Sequence, residues 1–421
     1  MAASGGFDDS RSTLSAERLS AGWRLQLAYF VYYAGSSAAS YLAVFLQDVG
    51  QFNKVQIGVL QAIPLYINVF GPPFWGMVAD VAQHQRLIHT ICIGTGAILN
   101  FTVQFVSNFH FLCIVIALAA FQNAPNNAML DQLALREAAY GRQRLFGSLG
   151  YGLGAYFLSL IIGAYGIAWM FSTQLALSFL AISILMPLPH VECRIHGTPM
   201  VKSPSLALVL APLLHSTAVR LLFAIVFVVG IVFGTINSFL MLYLFNLSGK
   251  NSSIVGLATL IQTCSEIPVF FFADTIVARC GIPGTIGLSL VAYSVRLSVY
   301  AFVPNVWAVL PFESLQGFTF GLMWTAFTTF VKSNSPNSHG TMMGILNAVQ
   351  NGIGSGLGAF LGGWIYQEYG AATLWQTALC GVPVAMVLLG CFAQTTRDEK
   401  ASGEADLLEE TIPHAVNYGS L

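Results

Sequence analysis

Length and charge fix the solvent of this chain. Its 421 residues are 56% hydrophobic and 8% charged, where a soluble domain carries about 25% charged residues. The 17 Lys and Arg and 18 Asp and Glu are too few to cover a soluble globule of this size, so most of the surface must face lipid. A soluble enzyme, a nucleic-acid binder and a disordered scaffold are thereby excluded, and a net charge of −1 leaves no polyanion footprint. The seven Cys are scattered, without a CxxC pair or a His cluster at metal spacing. No metal or cofactor is expected.

A bilayer core about 30 Å thick needs about 20 mostly apolar residues per helix. Twelve such segments follow one another. The first six are Trp23–Leu46, Gln56–Val78, Leu87–Val106, Phe109–Leu130, Leu145–Gly163 and Ile167–Leu188. The second six are Val219–Leu244, Ile254–Val277, Gly284–Val303, Val306–Phe330, Met342–Tyr366 and Thr373–Phe392. Strand alternation is absent, which argues against a β-barrel. The first segment is too long and starts too late for a simple cleaved signal. The expectation is an all-α polytopic membrane protein with twelve transmembrane helices in two six-helix pseudo-repeats around a central cavity. Its parts would be an N-terminal tail (1–22), a bundle (23–188), an interdomain loop (189–218), a second bundle (219–393) and a C-terminal tail (394–421).

Cations set the orientation. Fourteen Lys and Arg fall in the tails and loops of one side, two in the loops of the other, and Arg296 lies inside a span. Both termini are therefore expected in the cytoplasm. The sequons Asn246-Leu-Ser and Asn251-Ser-Ser then sit in an outer loop. The acidic tail around Leu407 and Leu408 resembles dileucine sorting signals without their usual spacing. It leaves plasma membrane and endomembrane, such as a vacuole or lysosome, both open.

The halves share a pattern. Gly152–Gly166 aligns with Gly356–Gly370 at an offset of 204, with seven of fifteen positions identical. Parallel six-helix repeats of this kind let two halves rock around a central site. After the second span stands Gly76-Met-Val-Ala-Asp80, followed by Arg86, and Phe272-Ala-Asp274 with Arg279 and Gly281 is a degraded copy after the eighth. This resembles the loop signature of the major facilitator superfamily. Tyr29-Phe-x-Tyr-Tyr, Gln56-Ile-Gly-x-Leu-Gln61, Arg144-Leu-Phe-Gly-Ser-Leu-Gly-Tyr-Gly152, Ser265-Glu-Ile-Pro268, Arg296 and Glu313-Ser-Leu-Gln-Gly317 are similar to the lactose-permease-like branch. That branch holds phenylpropionate permeases and nucleoside–proton symporters, and the likeness spans roughly Trp23–Phe392. It implies a twelve-helix fold and secondary active transport, usually proton-linked. Fold-level analogy does not name the solute.

Charges inside spans cost about 2.5–3.5 kcal/mol each on the insertion scale, and they persist when paired or facing water. At about 1.5 Å per residue, Glu266 and Arg296 both lie about 18 Å deep, and Glu313 about 10 Å deep. Arg296 cannot be neutralised, and equal depth makes Glu266 its expected partner. A second carboxylate near one Arg lacks a full counter-charge and can exchange a proton. Glu313, nearer the outer face, is favoured for that shuttle, with Glu266 the alternative. A static ion pair tying three helices is the rival reading. The span lacks a His beside Glu313, so the full permease coupling set is absent.

In the first half, Asp80, Arg86, Asp131, Arg142 and Arg144 read as gate charges at helix ends. Gln122, Asn123, Asn126 and Asn127 surround Pro125 and are expensive in lipid, so this face is expected at the cavity. Gln61, Gln262, Asn347 and Gln350 join it, with interhelical glue the other reading. Tyr29, Tyr33 and Trp324 are candidates to stack on a ring, with core packing the alternative. The whole reads as a proton-coupled symporter, acting as a monomer on a small polar solute (sugar, nucleoside or aromatic acid). A transport-inactive receptor and an uncoupled facilitator are the alternatives.

Overall fold

The computed structural model describes residues 22–135, 140–187, 216–334 and 339–415, with side chains left out for 136–143, 335–339 and 400–415. The N-terminal tail up to residue 21, most of the interdomain loop and the side chain of Arg142 lie outside them. Among the described residues every regular element is helical. Seven helical stretches are long and apolar enough to cross a bilayer. In chain order the helices are α1 (22–48), α2 (Lys54–Ala82), α3 (Gln85–Thr102), α4 (Phe109–Asn123), α5 (Asn126–Leu135), α6 (Tyr140–Tyr165) and α7 (Trp169–Leu185). There follow α8 (Thr217–Leu247), α9 (Ser252–Phe302), α10 (306–334) and α11 (339–415).

Two of these are too long for one crossing. The 51 residues of α9 would extend about 76 Å as one rod. Yet Gln262 and Arg296 both donate to Oε2 of Glu313, at 2.6 Å each. On a straight helix those residues would stand about 51 Å apart, so the chain folds back. The reversal is at Gly281, whose φ of 69° lies in the left-handed region that only glycine enters without a Cβ penalty. In α11, residues 355–366 run parallel to α8, with Ser355 on Gly230 and Tyr366 on Phe239. Beyond Gly370, whose φ is 84°, Trp375 meets Tyr243 and Gly381 meets Val232. The order is now antiparallel, so α11 also turns back on itself.

The turns recur between the halves. Positive φ falls at Gln51 and Lys250, at Gln83 and Gly281, and at Gly166 and Gly370. Each pair is separated by about 200 residues, the offset of the glycine repeat. The caps recur as well. Asn53 and Asn251 accept from backbone N–H groups at the starts of α2 and α9, and Asn108 and Asn305 do so at α4 and α10. Asparagine is among the best N-caps because its carbonyl accepts an otherwise unpaired first-turn N–H.

Small residues bring helices of the two halves close. Gly58 on α2 packs on Gly363 of α11, and Gly256 on α9 packs on Ser159 and Ala155 of α6. A Cβ on Gly256 would collide with Ser159 and with the Ala155 carbonyl. Gly256→Val is therefore expected to destabilise by about 1–3 kcal/mol through overpacking. Gly390→Val, where a new Cβ meets nothing, serves as the control. Melting of the two variants in detergent checks this, and equal melting temperatures would show that the α6–α9 seam has slack.

Candidate functional site: a buried ion pair beside a central cavity

The site begins with the irregular start of α10. Leu310–Leu315 is a 3-10 turn with Pro311 in its first positions, and Gly317–Leu322 is a π-helical turn. Glu313 in the 3-10 turn, Gln316 just after it and Thr319 in the π-helical turn all reach the second arm of α9. There Arg296 meets them, 1% exposed.

Arg296 Nη2 donates to Glu313 Oε2 at 2.6 Å. Its Nη1 donates to Gln316 Oε1 and, at 3.1 Å, to Thr319 Oγ1. Its Nε donates to the Tyr300 hydroxyl, one helical turn on. Tyr300 in turn donates to Glu313 Oε1 at 2.5 Å, and Gln262 Nε2 completes Oε2. Glu313 is fully buried and accepts three hydrogen bonds. Two charges taken out of water hold only when geometry and extra hydrogen bonds offset desolvation, and here both are met.

This corrects the sequence reading. The partner of Arg296 is Glu313, not Glu266, and both members of the pair are buried. Glu266 stands one turn after Gln262 on α9 and lines the central cavity. Among the described residues it makes no ion pair within 4 Å. Gln316 links it to the cluster, since its carbonyl accepts from Arg296 and its side chain also reaches the Glu266 carboxylate.

The cavity has a volume of about 350 Å³ and takes its wall from both halves. Tyr33 and Ser40 come from α1, Gln61 from α2, Arg144 and Tyr151 from α6. Opposite them lie Phe233 and Asn237 on α8, Gln262 and Glu266 on α9, and Gln316 and Phe320 on α10. Ser40 Oγ and the Tyr151 hydroxyl are 3.1 Å apart. Of the expected cavity residues, Tyr33, Gln61 and Gln262 are in this wall. Tyr29 is buried behind it and donates to Asp131 Oδ1 at 2.9 Å. Trp324 packs against the core and Asn347 is exposed, bonded to Asn351. Gln122, Asn126 and Gln350 each keep a buried oxygen without a hydrogen-bond partner among the described residues, away from the wall.

The expected gate charges separate in the same way. Arg144 pairs with Asp131 at 2.8 Å and also lines the cavity. Arg86 donates to the Leu185 carbonyl, capping the end of α7. Asp80 is exposed near the end of α2. At the other end of the molecule the halves are joined directly. Lys250 pairs with Asp48 at 3.2 Å, Gln47 and Asn246 exchange amide hydrogen bonds, and the Lys54 backbone donates to Gln367. Tyr300, Gln316, Thr319 and Tyr151 were not singled out from sequence. Tyr300 is four residues from Arg296, and Gln316 and Thr319 follow Glu313 at intervals of three, so spacing alone could have found them.

The pair makes a specific demand. Arg296→Met strands a buried carboxylate, which costs about 3–5 kcal/mol, whereas Arg296→Met with Glu313→Gln leaves no charge unpaired. The double variant is expected to melt higher than the single one in detergent. Adding Glu266→Gln to Arg296→Met instead is expected to rescue nothing, and rescue by it would mean that the partners are misassigned.

A family model, described as the MFS_1 like family, matches residues 22–377. The maltose permease of Geobacillus stearothermophilus is 26% identical over 394 residues, covering 90% of this chain and 95% of that protein. An uncharacterised transporter of Bacillus subtilis, YwbF, is 26% identical over 314 residues, or 73% of this chain and 76% of its own. The nucleoside permease NupG of Escherichia coli is 24% identical over 284 residues, 63% of this chain and 66% of that one. A crystal structure of the nucleoside transporter NupG superposes with a TM-score of 0.75 at 20% identity, covering 89% of this chain and 99% of that one. With the matched segment running from the first helix into the last, the chain belongs to the MFS_1 like family of major facilitator transporters.

Proposed function

We propose that this protein is a proton-coupled symporter that moves a small polar, ring-bearing solute by alternating access. Its body is read as twelve crossings in two rocking bundles, 23–188 and 219–393. The recurrence of turns and caps about 200 residues apart supports that reading, as do the reversals at Gly281 and Gly370. The relatives named for maltose and for nucleosides support a hydroxyl-bearing solute, and the polar groups of the wall suit its hydrogen bonds. One chain forms the whole cavity, so a monomer suffices.

The observation that carries the proposal is Glu266. It is the cavity carboxylate without an ion pair, while Arg296 and Glu313 balance each other behind it. An ionised group in a low-dielectric span is expensive, so Glu266 binds a proton when the cavity leaves contact with water. Glu313 was the favoured shuttle on sequence. Gln262, Arg296 and Tyr300 now occupy it, and the role passes to Glu266. Loading a proton and a solute from the outer side, then releasing both inside, couples the two fluxes.

The bonds between Asp48 and Lys250 and between Gln47 and Asn246 close one end, and the cation asymmetry assigns that end to the outside. On this reading the opposite end is the cytoplasmic one, with both termini on that side.

Glu266→Gln imitates the protonated state. Uptake driven by an imposed pH gradient in vesicles is expected to fall to background, while counterflow with preloaded solute survives because it needs no net proton movement. A screen of maltose and nucleosides supplies the solute. Full pH-driven accumulation by Glu266→Gln would remove it as the coupling group. For orientation, Ser253→Cys at the start of α9 is expected to react with an impermeant thiol reagent from the outside. Reaction only after permeabilisation would invert the topology.

A further inference from the structure

Among the described residues, the cavity and its surroundings hold three carboxylates and two guanidinium groups, and two ion pairs account for four of these. Arg144 is held by Asp131 and Arg296 by Glu313. Each pair is neutral as a unit, so the wall carries one net negative charge whenever Glu266 is ionised. The charged and titratable groups facing Glu266 are Arg144 and Tyr151 on α6 and Arg296 on the second arm of α9. Neither cation reaches it within ion-pair distance.

The same wall is aromatic. Phe233 and Phe320 stack with centroids 5.4 Å apart and planes at 15°. Phe270, behind the wall, meets Phe320 edge-on, and Tyr33 and Tyr151 line the cavity from the other half. Aromatic faces attract cations through the ring quadrupole, and an unpaired carboxylate attracts them by charge. A carboxylate-bearing solute meets the same site as a like charge.

We propose that the cavity contains a subsite at Glu266 for a ring-bearing ammonium ion, taken in place of the proton, and that it rejects carboxylate-bearing solutes of similar size. This rests on the reading of Glu266 as the unpaired cavity carboxylate. It adds that proton and ammonium compete for one group, so an amine crosses without a coupled proton. It also removes aromatic acids from the solute classes left open by sequence.

Asn237, exposed in the cavity wall, is the reporter position. In the full chain with native cysteines replaced, Asn237→Cys is labelled at pH 8 with two methanethiosulfonates of similar size, one carrying trimethylammonium and one carrying sulfonate. Rates are normalised to those with a free thiol in solution. The cationic reagent is expected to react about fivefold faster, the effect of one partly screened charge at close range, and the ratio should fall to about one in Glu266→Gln. Phenethylammonium is expected to slow the cationic reaction at pH 8, whereas phenylacetate leaves it unchanged, and the protection disappears in Glu266→Gln.

Ser148→Cys, on the opposite wall, repeats the measurement if Asn237→Cys fails to fold. A ratio of one or less with Glu266 intact, protection by phenylacetate, absence of protection by phenethylammonium, or protection that survives Glu266→Gln would each overturn the subsite. Loss of pH-driven uptake in Glu266→Gln without charge selection would leave the coupling reading standing and sink the subsite. Charge selection with coupling intact in Glu266→Gln would do the reverse.

Discussion

A guanidinium that cannot lose its proton lies 1% exposed in a bilayer-spanning body, and the second half is arranged around it. Arg296 draws a carboxylate, a phenol, a carboxamide and a hydroxyl from two helices. Breaking this set by moving either helix would leave a buried charge without its partner. The second arm of α9 and the start of α10 therefore move as one body. What remains free to respond is the group outside the closed set. Glu266 is attached to it through one carboxamide, Gln316, and otherwise faces the cavity. Structural charge and functional charge are separated by a single side chain.

The seams between halves follow a different logic. Between α6 and α9, and between α2 and α11, close backbone approach depends on glycines such as Gly256 and Gly58. In lipid there is little hydrophobic gain from joining helices, so packing and hydrogen bonds decide. Smooth glycine surfaces give contact without interlocked side chains. Polar locks are kept for one end, at Asp48, Lys250, Gln47 and Asn246. Exposed pairs of this kind contribute at most about 1 kcal/mol. A joint built from flat seams and weak polar latches can open without a large barrier, whereas the Arg296 cluster cannot.

Much of the fold was legible because lipid imposes length. Apolar segments of bilayer length, the cation asymmetry and the glycine repeat ending at Gly166 and Gly370 all survive in one dimension. The charged site was legible by composition and misread by geometry. Depth along an ideal helix put Glu266 level with Arg296, and depth is one coordinate of three. The 3-10 turn containing Pro311 turned Glu313 inward, and the π-helical turn carried Thr319 to the same side. Tyr33, Gln61 and Gln262 line the cavity, whereas Tyr29 is bonded to Asp131 behind it. Tyr151 and Ser40 meet across helices more than a hundred residues apart in sequence, a contact that no local spacing encodes.

Charge neutrality ties these parts into a cycle. A cavity passing between two faces of a membrane must shed water in the intermediate, and an uncompensated charge is most expensive there. The Arg144–Asp131 and Arg296–Glu313 pairs each lie within one half, so a movement of the halves need not separate either. In the proposed cycle Glu266 is the group that changes the sum among the described residues. Protonated, it would leave a neutral cavity able to occlude; ionised, it would hold the cavity open to water until a proton or another cation arrives. On that proposal the obligation to carry a positive charge follows from the placement of one carboxylate, and a second unpaired charge in the wall would remove it.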